Sequence, residues 1–167
     1  MSYQKLFIMR HGKSDWATLE SSDAERPLNE RGRRDVAKMA VWLRNSEFSP
    51  TCIKSSTARR ATETAQIVAE ELNGLQIIFE ESLYLADLNE LIEVVAQPPV
   101  SSWMLIGHNP GLESLLHFLD PEIENRIEFS KIMPTAAIYA FEIDMSDLVL
   151  SMGSGQLLYH QRPKRLD

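Results

Sequence analysis

Two histidines and two arginines, spread over three separate stretches of the chain, are the residues best suited to chemistry. The first stretch is Arg10-His11-Gly12, the second is the run 55–65 that contains Arg60, and the third is Gly107-His108-Asn109. A guanidinium presents a planar fork of donors that matches phosphate oxygens. An imidazole can act as a nucleophile or carry a proton near neutral pH. Gathered at one place, the four side chains would neutralise a phosphoryl group, hold its oxygens and attack its phosphorus.

Each stretch, taken singly, also has a plainer interpretation. An isolated Arg-His-Gly recurs in surface turns that carry a solvated arginine. Arg59 fits an exposed helix face, whereas Arg60 would face the apolar side of the same helix. His108 could cap a helix or hydrogen-bond within a turn. The remaining two histidines, His117 and His160, do not follow an apolar strand with a turn, and we interpret both as structural.

Apolar runs alternate with amphipathic helical patterns along the chain, without repeats or linkers. The pattern predicts strands and helices over these ranges: strands 5–9, 51–54, 76–79, 102–107, 136–143 and 156–160; helices 29–43, 58–73, 89–96 and 111–118. Parallel neighbours need long crossover connections, so strands joined by helices indicate a largely parallel sheet with helices on both faces. We therefore expect one α/β domain over 1–167.

The predicted strands place the three stretches at one edge of the sheet. The strands over 5–9, 51–54 and 102–107 each lead directly into one stretch. In parallel α/β sheets the ligand binds outside the carboxyl ends of the strands. Ser56 or Thr57 could cap the second helix, whose N-terminus would attract an anion. The sequence therefore predicts that Arg10, His11, Arg60 and His108 converge on one pocket.

The charge and composition of the chain limit its partners. The 167 residues carry a net charge of -7, which argues against nucleic acid or an anionic membrane as partner. A phosphate site must then be a local basic pocket. The opening segment has too short an apolar run for a signal peptide, and no run reaches the roughly 18 apolar residues of a spanning helix. The single cysteine, Cys52, excludes an intrachain disulfide, and we expect a cytoplasmic protein.

Neither a metal nor another cofactor is expected from the motifs. The chain lacks the histidine and carboxylate spacings of zinc or two-metal sites. It also lacks the Gly-x-x-x-x-Gly-Lys loop that binds ATP.

The three stretches together resemble the motifs of the histidine phosphatase superfamily, also called the phosphoglycerate mutase-like family. Its members carry Arg-His-Gly after the first strand, then Ser-Pro-x-x-Arg-Ala-x-x-Thr-Ala, then Gly-His late in the sheet. Here Thr57 stands in place of the proline. The short length, the segment 26–32 and His108-Asn109-Pro110 resemble the small SixA-type phosphohistidine phosphatases. The resemblance implies a three-layer α/β/α sandwich around a mostly parallel sheet with one antiparallel edge strand.

The same resemblance implies a role for each of the four residues. His11 would be the nucleophile that becomes phosphohistidine, and Arg10 and Arg60 would bind the phosphate. His108 would complete the pocket and stabilise the transferring group. Water would then hydrolyse the phosphohistidine.

A general acid is harder to assign. Larger family members supply a glutamate after the third strand, where this chain has the segment 80–87. Glu81 and Asp87 are the candidates, although both could equally be solvated strand-end and helix-cap residues. Asp15 and Arg26 are candidates for the rim of the pocket. We interpret Ser14 and Asp23 as parts of a solvated loop.

A site without a strong acid suits a nitrogen leaving group better than an alkoxide, which benefits strongly from protonation. The expected substrate is therefore a phosphohistidine on a protein. A small phosphate ester stays open as the alternative, and a non-catalytic phosphate-binding module is a third interpretation. A mutase would need a closing lid over its intermediate, which the short connections argue against. The oligomeric state is left open.

Overall fold

The computed structural model describes residues 3–16 and 21–167. Within them, six strands form one sheet in the order β3-β2-β4-β1-β5-β6. The strands are β1 (Tyr3–Arg10), β2 (Cys52–Ser56), β3 (Gln76–Glu80), β4 (Ser102–Gly107), β5 (Ile138–Asp144) and β6 (Gly155–Gln161). Strands β1 to β4 pair in parallel, β5 is antiparallel to β1, and β6 is antiparallel to β5. The mostly parallel sheet is confirmed, and its one reversed strand, β5, lies one place in from the edge.

Helices cover both faces of this sheet. They are α1 (Glu30–Arg44), α2 (Arg59–Glu71), α3 (Leu88–Val95), α4 (Gly111–Leu119) and α5 (Ile123–Arg126). Side chains alternate along β1, so Phe7 and Met9 pack with α1 and α2, whereas Leu6 and Ile8 pack with α3 and α4. This confirms the three-layer α/β/α architecture. None of the helices in the described ranges combines the length and apolar character needed to cross a bilayer.

The N-terminal caps of α1 and α2 test the predicted starts of these helices, and only the first prediction is confirmed. The side chain of Asn29 caps α1 by accepting a hydrogen bond from Gly32 N at 2.8 Å, as the pattern predicts. Helix α2 begins at Arg59, and its N-cap position, Ala58, makes no side-chain cap. The prediction of a Ser56 or Thr57 cap was therefore wrong.

The register of the sheet brings the three stretches together. Arg10 of β1 lies opposite Gly107 of β4, so His11 and His108 both follow directly after paired residues. Strand β2 adjoins β4 in parallel and ends at Ser56. The carboxyl ends of three neighbouring strands thus lie at the same edge of the sheet, where parallel sheets bind their ligands.

Candidate active site

The four predicted residues line one pocket of about 280 Å³ at this edge. The rings of His11 and His108 lie 5.2 Å apart between centroids. His11, Arg60 and His108 are only 6, 3 and 4 % exposed. The structure therefore brings together the two imidazoles and two guanidiniums that the strand ends predicted.

His11 is held in one tautomer by the backbone. Its Nδ1 lies 2.7 Å from the carbonyl oxygen of Gly12, which can only accept, so Nδ1 carries the proton. On the other side of the ring, Nε2 accepts a 3.3 Å hydrogen bond from Nε of Arg60. Burial lowers the pKa of His11 to about 3, with the neighbouring His108, Arg60 and Arg10 acting in the same direction. The ring is therefore neutral at physiological pH, and its in-plane lone pair is on Nε2, where it accepts the bond from Arg60.

Gly12 lets the loop after β1 pack tightly against the helices. A Cβ at this position would stand 2.7 Å from Cγ2 of Val36 and 3.0 Å from the carbonyl oxygen of Gly32. The Gly12 amide also donates to Oγ1 of Thr64 at 3.1 Å. Close approach, rather than a positive φ, explains the glycine in Arg-His-Gly.

Arg60, in the first turn of α2, connects both histidines to a carboxylate. Its Nη2 lies 3.4 Å from Nδ1 of His108 and donates to Oδ2 of Asp23 at 3.0 Å, while Nη1 donates to the Asp23 carbonyl at 2.8 Å. These contacts orient the guanidinium across the pocket.

His108 is held from behind by a hydroxyl group. Its Nε2 lies 2.7 Å from Oγ of Ser56, which also accepts from the Ala58 amide at 3.2 Å. Since a guanidinium only donates, Nδ1 accepts in the contact with Arg60, and Nε2 then donates to Ser56. Burial, and secondarily the charge of Arg60, lower the pKa of His108 to about 4.

Arg10 is fixed through a backbone carbonyl from a distant loop. Its Nη1 donates to the oxygen of Met133 at 3.1 Å, and Nδ2 of Asn109 donates to the same oxygen at 3.0 Å. Burial lowers the pKa of Arg10, although nearby Glu113 acts in the opposite direction. One carbonyl therefore sets the position of two pocket side chains.

The remaining lining of the pocket is basic and open. Lys13 and Arg26 add two further cations, and none of the lining residues in the described part of the chain is a carboxylate. Trp16 and Leu85 form an exposed part of the rim, at 86 and 54 % exposure. A local basic pocket therefore exists within an acidic chain.

Two residues that we interpreted as a solvated loop contact the site instead. Ser14 lines the pocket, and the carboxylate of Asp23 binds Arg60 and accepts a hydrogen bond from the Tyr84 hydroxyl at 2.5 Å. The hydrogen bond from Tyr84, followed by those of Arg60, lowers the pKa of Asp23. Of the two rim candidates, Arg26 lines the pocket and Asp15 does not.

The two candidate acids lie away from the pocket lining. The side chain of Asp87 caps α3, accepting from the Glu90 amide at 2.9 Å, while the Glu90 carboxylate accepts from the Asp87 amide in return. Glu81 lies in a 3₁₀ turn and is exposed. Neither lines the pocket, so the helix-cap interpretation holds for Asp87.

Among the groups that hold the pocket side chains in place, the Ser56 hydroxyl, Tyr84 and the Met133 carbonyl were not predicted. Ser56 had a signal, because it opens the second motif, but we interpreted it as a helix cap. Tyr84 stacks edge-on with His108, with 5.6 Å between ring centroids. The two remaining histidines do not line the pocket: His160 stacks on Tyr139, and His117 is half-buried beside Glu124.

Residues 6–92 match the family model of the histidine phosphatase superfamily, branch 1. With its fold and its four converging residues, the chain belongs to the histidine phosphatase superfamily. A crystal structure of a candidate phosphohistidine phosphatase SixA from Agrobacterium tumefaciens superposes with a TM-score of 0.81 and 26 % identity, covering 96 % of this chain and 98 % of that one. The protein histidine phosphatase SixA complexed with tungstate gives a TM-score of 0.80 and 25 % identity, covering 98 and 100 %.

One curated relative is an uncharacterized chloroplastic protein of Arabidopsis thaliana. It is 30 % identical over 128 residues, which cover 70 % of this chain and 59 % of that protein. The matched part therefore amounts to about three fifths of the relative's length.

Proposed function

We propose that this protein is a phosphatase that passes a phosphoryl group through Nε2 of His11 to water, and that its substrate is a phosphohistidine on a protein. The observation that carries the proposal is the tautomer of His11. Its Nδ1 proton is held by the Gly12 carbonyl, so Nε2 presents a lone pair inside a cationic pocket. A neutral imidazole of this kind needs no separate base before it attacks.

In the first step, Nε2 of His11 bonds to phosphorus while the bond from phosphorus to the leaving group breaks. A phosphate oxygen would replace Nε2 as the partner of Nε of Arg60, whose present hydrogen bond is 3.3 Å long. Arg10, Arg60 and the rim cations would bear the charge that spreads over the equatorial oxygens. In the second step, water attacks phosphorus, the N–P bond breaks, and inorganic phosphate leaves.

The surroundings of the pocket favour a leaving group that needs little protonation. Among the described residues, no carboxylate lines the pocket. Asp23 stands behind Arg60 with a lowered pKa, so it stays ionised and is poorly suited to donate a proton. An imidazole leaves from phosphorus more readily than an alkoxide, which depends on a general acid.

The open rim supports a protein substrate. The exposed side chains of Trp16 and Leu85 at the rim can contact the surface of a protein that presents a phosphorylated side chain to the pocket. The two SixA structures are consistent with this choice, and the tungstate complex shows that one of them takes a tetrahedral oxyanion. A small phosphate ester is the second candidate, because a pocket of about 280 Å³ also has room for one.

The deciding experiment compares two substrate types and maps the intermediate. The protein is given a phosphohistidine peptide and a panel of small phosphate esters, and each reaction is also quenched in alkali for peptide mapping. We expect faster release of phosphate from the phosphohistidine peptide, with alkali-stable, acid-labile phosphate on His11. Efficient cleavage of an ester with an untouched phosphohistidine peptide would overturn the substrate assignment. Phosphate mapped to another residue would overturn the mechanism.

A further inference from the structure

A basic groove adjoins the phosphate pocket on the side of α1 and the C-terminal segment. Two neighbouring depressions, of about 570 and 260 Å³, share Arg31, Asp35, Pro163 and Lys164. The smaller one also shares Thr135 with the phosphate pocket, so all three form a continuous surface. The charged residues of the groove are Arg31, Arg34, Asp35, Lys38, Lys131, Arg162, Lys164 and Asp167.

This groove carries a charge opposite to that of the chain. Its six cations and two carboxylates give a net charge of +4, whereas the whole chain carries -7 and the rest of it therefore -11. The two carboxylates are already engaged, because Asp35 pairs with Arg31 at 3.6 Å and Asp167 pairs with Lys38. A second anion would consequently meet cations that the groove does not neutralise.

Three exposed cations of the groove are available to such an anion. Arg34, Lys131 and Lys164 form no ion pair with any carboxylate in the part of the chain that the structure describes. The fourth unneutralised cation, Arg162, is buried and donates to the carbonyl oxygens of Lys131 at 2.8 Å and Ile132 at 3.3 Å. Its guanidinium therefore adds a fixed positive charge beneath the groove.

The segment on the β3 side of the pocket is acidic. Residues 80–93, which begin at the last residue of the edge strand β3, include Glu80, Glu81, Asp87, Glu90 and Glu93 and no lysine or arginine. Within the described ranges 3–16 and 21–167, Glu80 alone of these pairs with a cation, Lys54 at 3.2 Å. Residues 162–167 of the groove follow β6, at the opposite edge of the sheet. The acidic segment 80–93 and the basic groove thus belong to opposite sides of the phosphate pocket.

We infer that the basic groove docks an acidic surface of the phosphorylated protein substrate, beside the side chain that enters the pocket. The inference rests on the proposed function and specifies its substrate as a protein with aspartate and glutamate flanking the phosphorylated residue. Attraction by the groove on one side and repulsion by the acidic segment 80–93 on the other would fix the direction in which the substrate approaches. Steering of this kind acts mainly on association and weakens as salt rises.

The test uses two variants of equal net charge. The groove variant is Arg34→Gln/Lys131→Gln/Lys164→Gln. The control variant is Gln66→Glu/Gln76→Glu/Gln97→Glu, at three exposed glutamines of α2, β3 and the end of α3. Both changes make the chain more negative by the same amount, and none of the six residues lines the phosphate pocket. Two phosphohistidine peptides, with acidic or neutral flanks, and p-nitrophenyl phosphate serve as substrates.

We expect the groove variant to lose about tenfold in kcat/KM for the acidic peptide at low salt, mainly through a higher KM. This is the usual effect of removing charges at the edge of a binding interface. The rate with p-nitrophenyl phosphate should stay within about twofold, because the pocket is untouched. The control variant should keep the preference for the acidic peptide. Equal losses in both variants, or no preference in the wild type, would overturn the docking surface.

A binding measurement tests the groove independently of the proposed function. Fluorescence anisotropy measures how the unphosphorylated acidic peptide and a single-stranded DNA oligonucleotide bind to wild type and both variants. If neither phosphohistidine peptide is hydrolysed, the proposed function fails, yet weaker peptide binding by the groove variant alone still supports the groove. Tighter binding of the oligonucleotide than of the peptide would assign the groove to nucleic acid and overturn the inference.

Discussion

The ends of β1 and β4 place the same type of side chain at equivalent positions, and the two histidines differ mainly in what holds them from behind. His11 and His108 each follow a residue of the pair Arg10 and Gly107, and burial lowers both pKa values. The Gly12 carbonyl can only accept, so it locks His11 with Nε2 unprotonated. The Ser56 hydroxyl can accept or donate, so it does not by itself fix the tautomer of His108, which in the structure is set by the donor Arg60 at Nδ1.

In the proposed mechanism this difference separates the two roles. With phosphate bound, the Ser56 hydroxyl could donate to Nε2 of His108, which would let Nδ1 donate to a phosphate oxygen. His11 has no such choice, so we assign the nucleophilic attack to it. On this proposal, the partner behind each ring, rather than the ring itself, distinguishes the nucleophile from the group that stabilises the transferring phosphate.

The largest expected effect comes from removing the locked histidine. His11→Ala should lower the rate of p-nitrophenyl phosphate hydrolysis by about 10⁴-fold, because the covalent route is lost. The matched control is His117→Ala, since His117 is only half-buried and does not line the pocket. Similar rates for the two variants would disprove the role of His11.

Removing the second histidine should cost less. His108→Gln keeps His11 and both arginines, so we expect a loss of about 10²- to 10³-fold in kcat, typical of one missing transition-state donor. Phosphate should still appear on His11, only more slowly, when the quenched enzyme is analysed by mass spectrometry. If His108→Gln gave no detectable phosphoenzyme, His108 would be needed to form it, and the division of roles between the two histidines would be wrong.

The positions of these two histidines could be predicted from sequence because each follows an apolar strand. Strand periodicity and the rule for parallel sheets together fix which edge such residues share. What the sequence could not show was the orientation of either ring. That orientation depends on a carbonyl one residue away from His11 and on a hydroxyl 52 residues away from His108.

The interpretation of Asp23 failed for a related reason. Asp23 lies in a polar segment without periodicity, which is typical of a solvated loop, and its partner Arg60 is 37 residues further along the chain. The same holds for Met133, whose carbonyl meets Arg10 across 123 residues. Long-range contacts made by carbonyls and loop carboxylates leave no trace in local spacing, whereas apolar strands do.

The next prediction tests whether the Ser56 hydroxyl acts through His108. Ser56→Ala should lower kcat by about tenfold, because His108 loses its orienting partner but keeps its ring. In the His108→Gln background the same substitution should have little further effect, since coupled residues are not additive. A full additional loss in that background would show that Ser56 acts on the start of α2, through the Ala58 amide, instead of on His108.

The smallest expected effect concerns stability, and it applies to both histidines. In the unfolded chain their pKa is about 6.5, whereas burial lowers it to about 3 for His11 and about 4 for His108. Between these values only the unfolded chain binds the protons. The free energy of unfolding should therefore fall as pH drops below about 6.5, by about 1.4 kcal/mol per pH unit for each histidine.

Variants isolate these contributions, because carboxylates and His160 titrate in all of them. Urea unfolding of wild type, His11→Ala and His108→Gln is measured at several pH values from about 5.5 down to about 4.5, where the folded-state ring of His11 stays neutral and that of His108 stays mostly neutral. In each variant the free energy of unfolding should change less steeply with pH than in the wild type. The difference in slope should be the contribution of the one histidine removed, about 1.4 kcal/mol per pH unit. At lower pH the curves of the two variants should diverge. The contribution of His108 to the slope ends near its pKa of about 4, whereas the contribution of His11 continues toward its pKa of about 3. A wild-type slope retained in His11→Ala would mean that His11 is already protonated in the folded protein at these pH values, which would contradict the lowering of its pKa by burial.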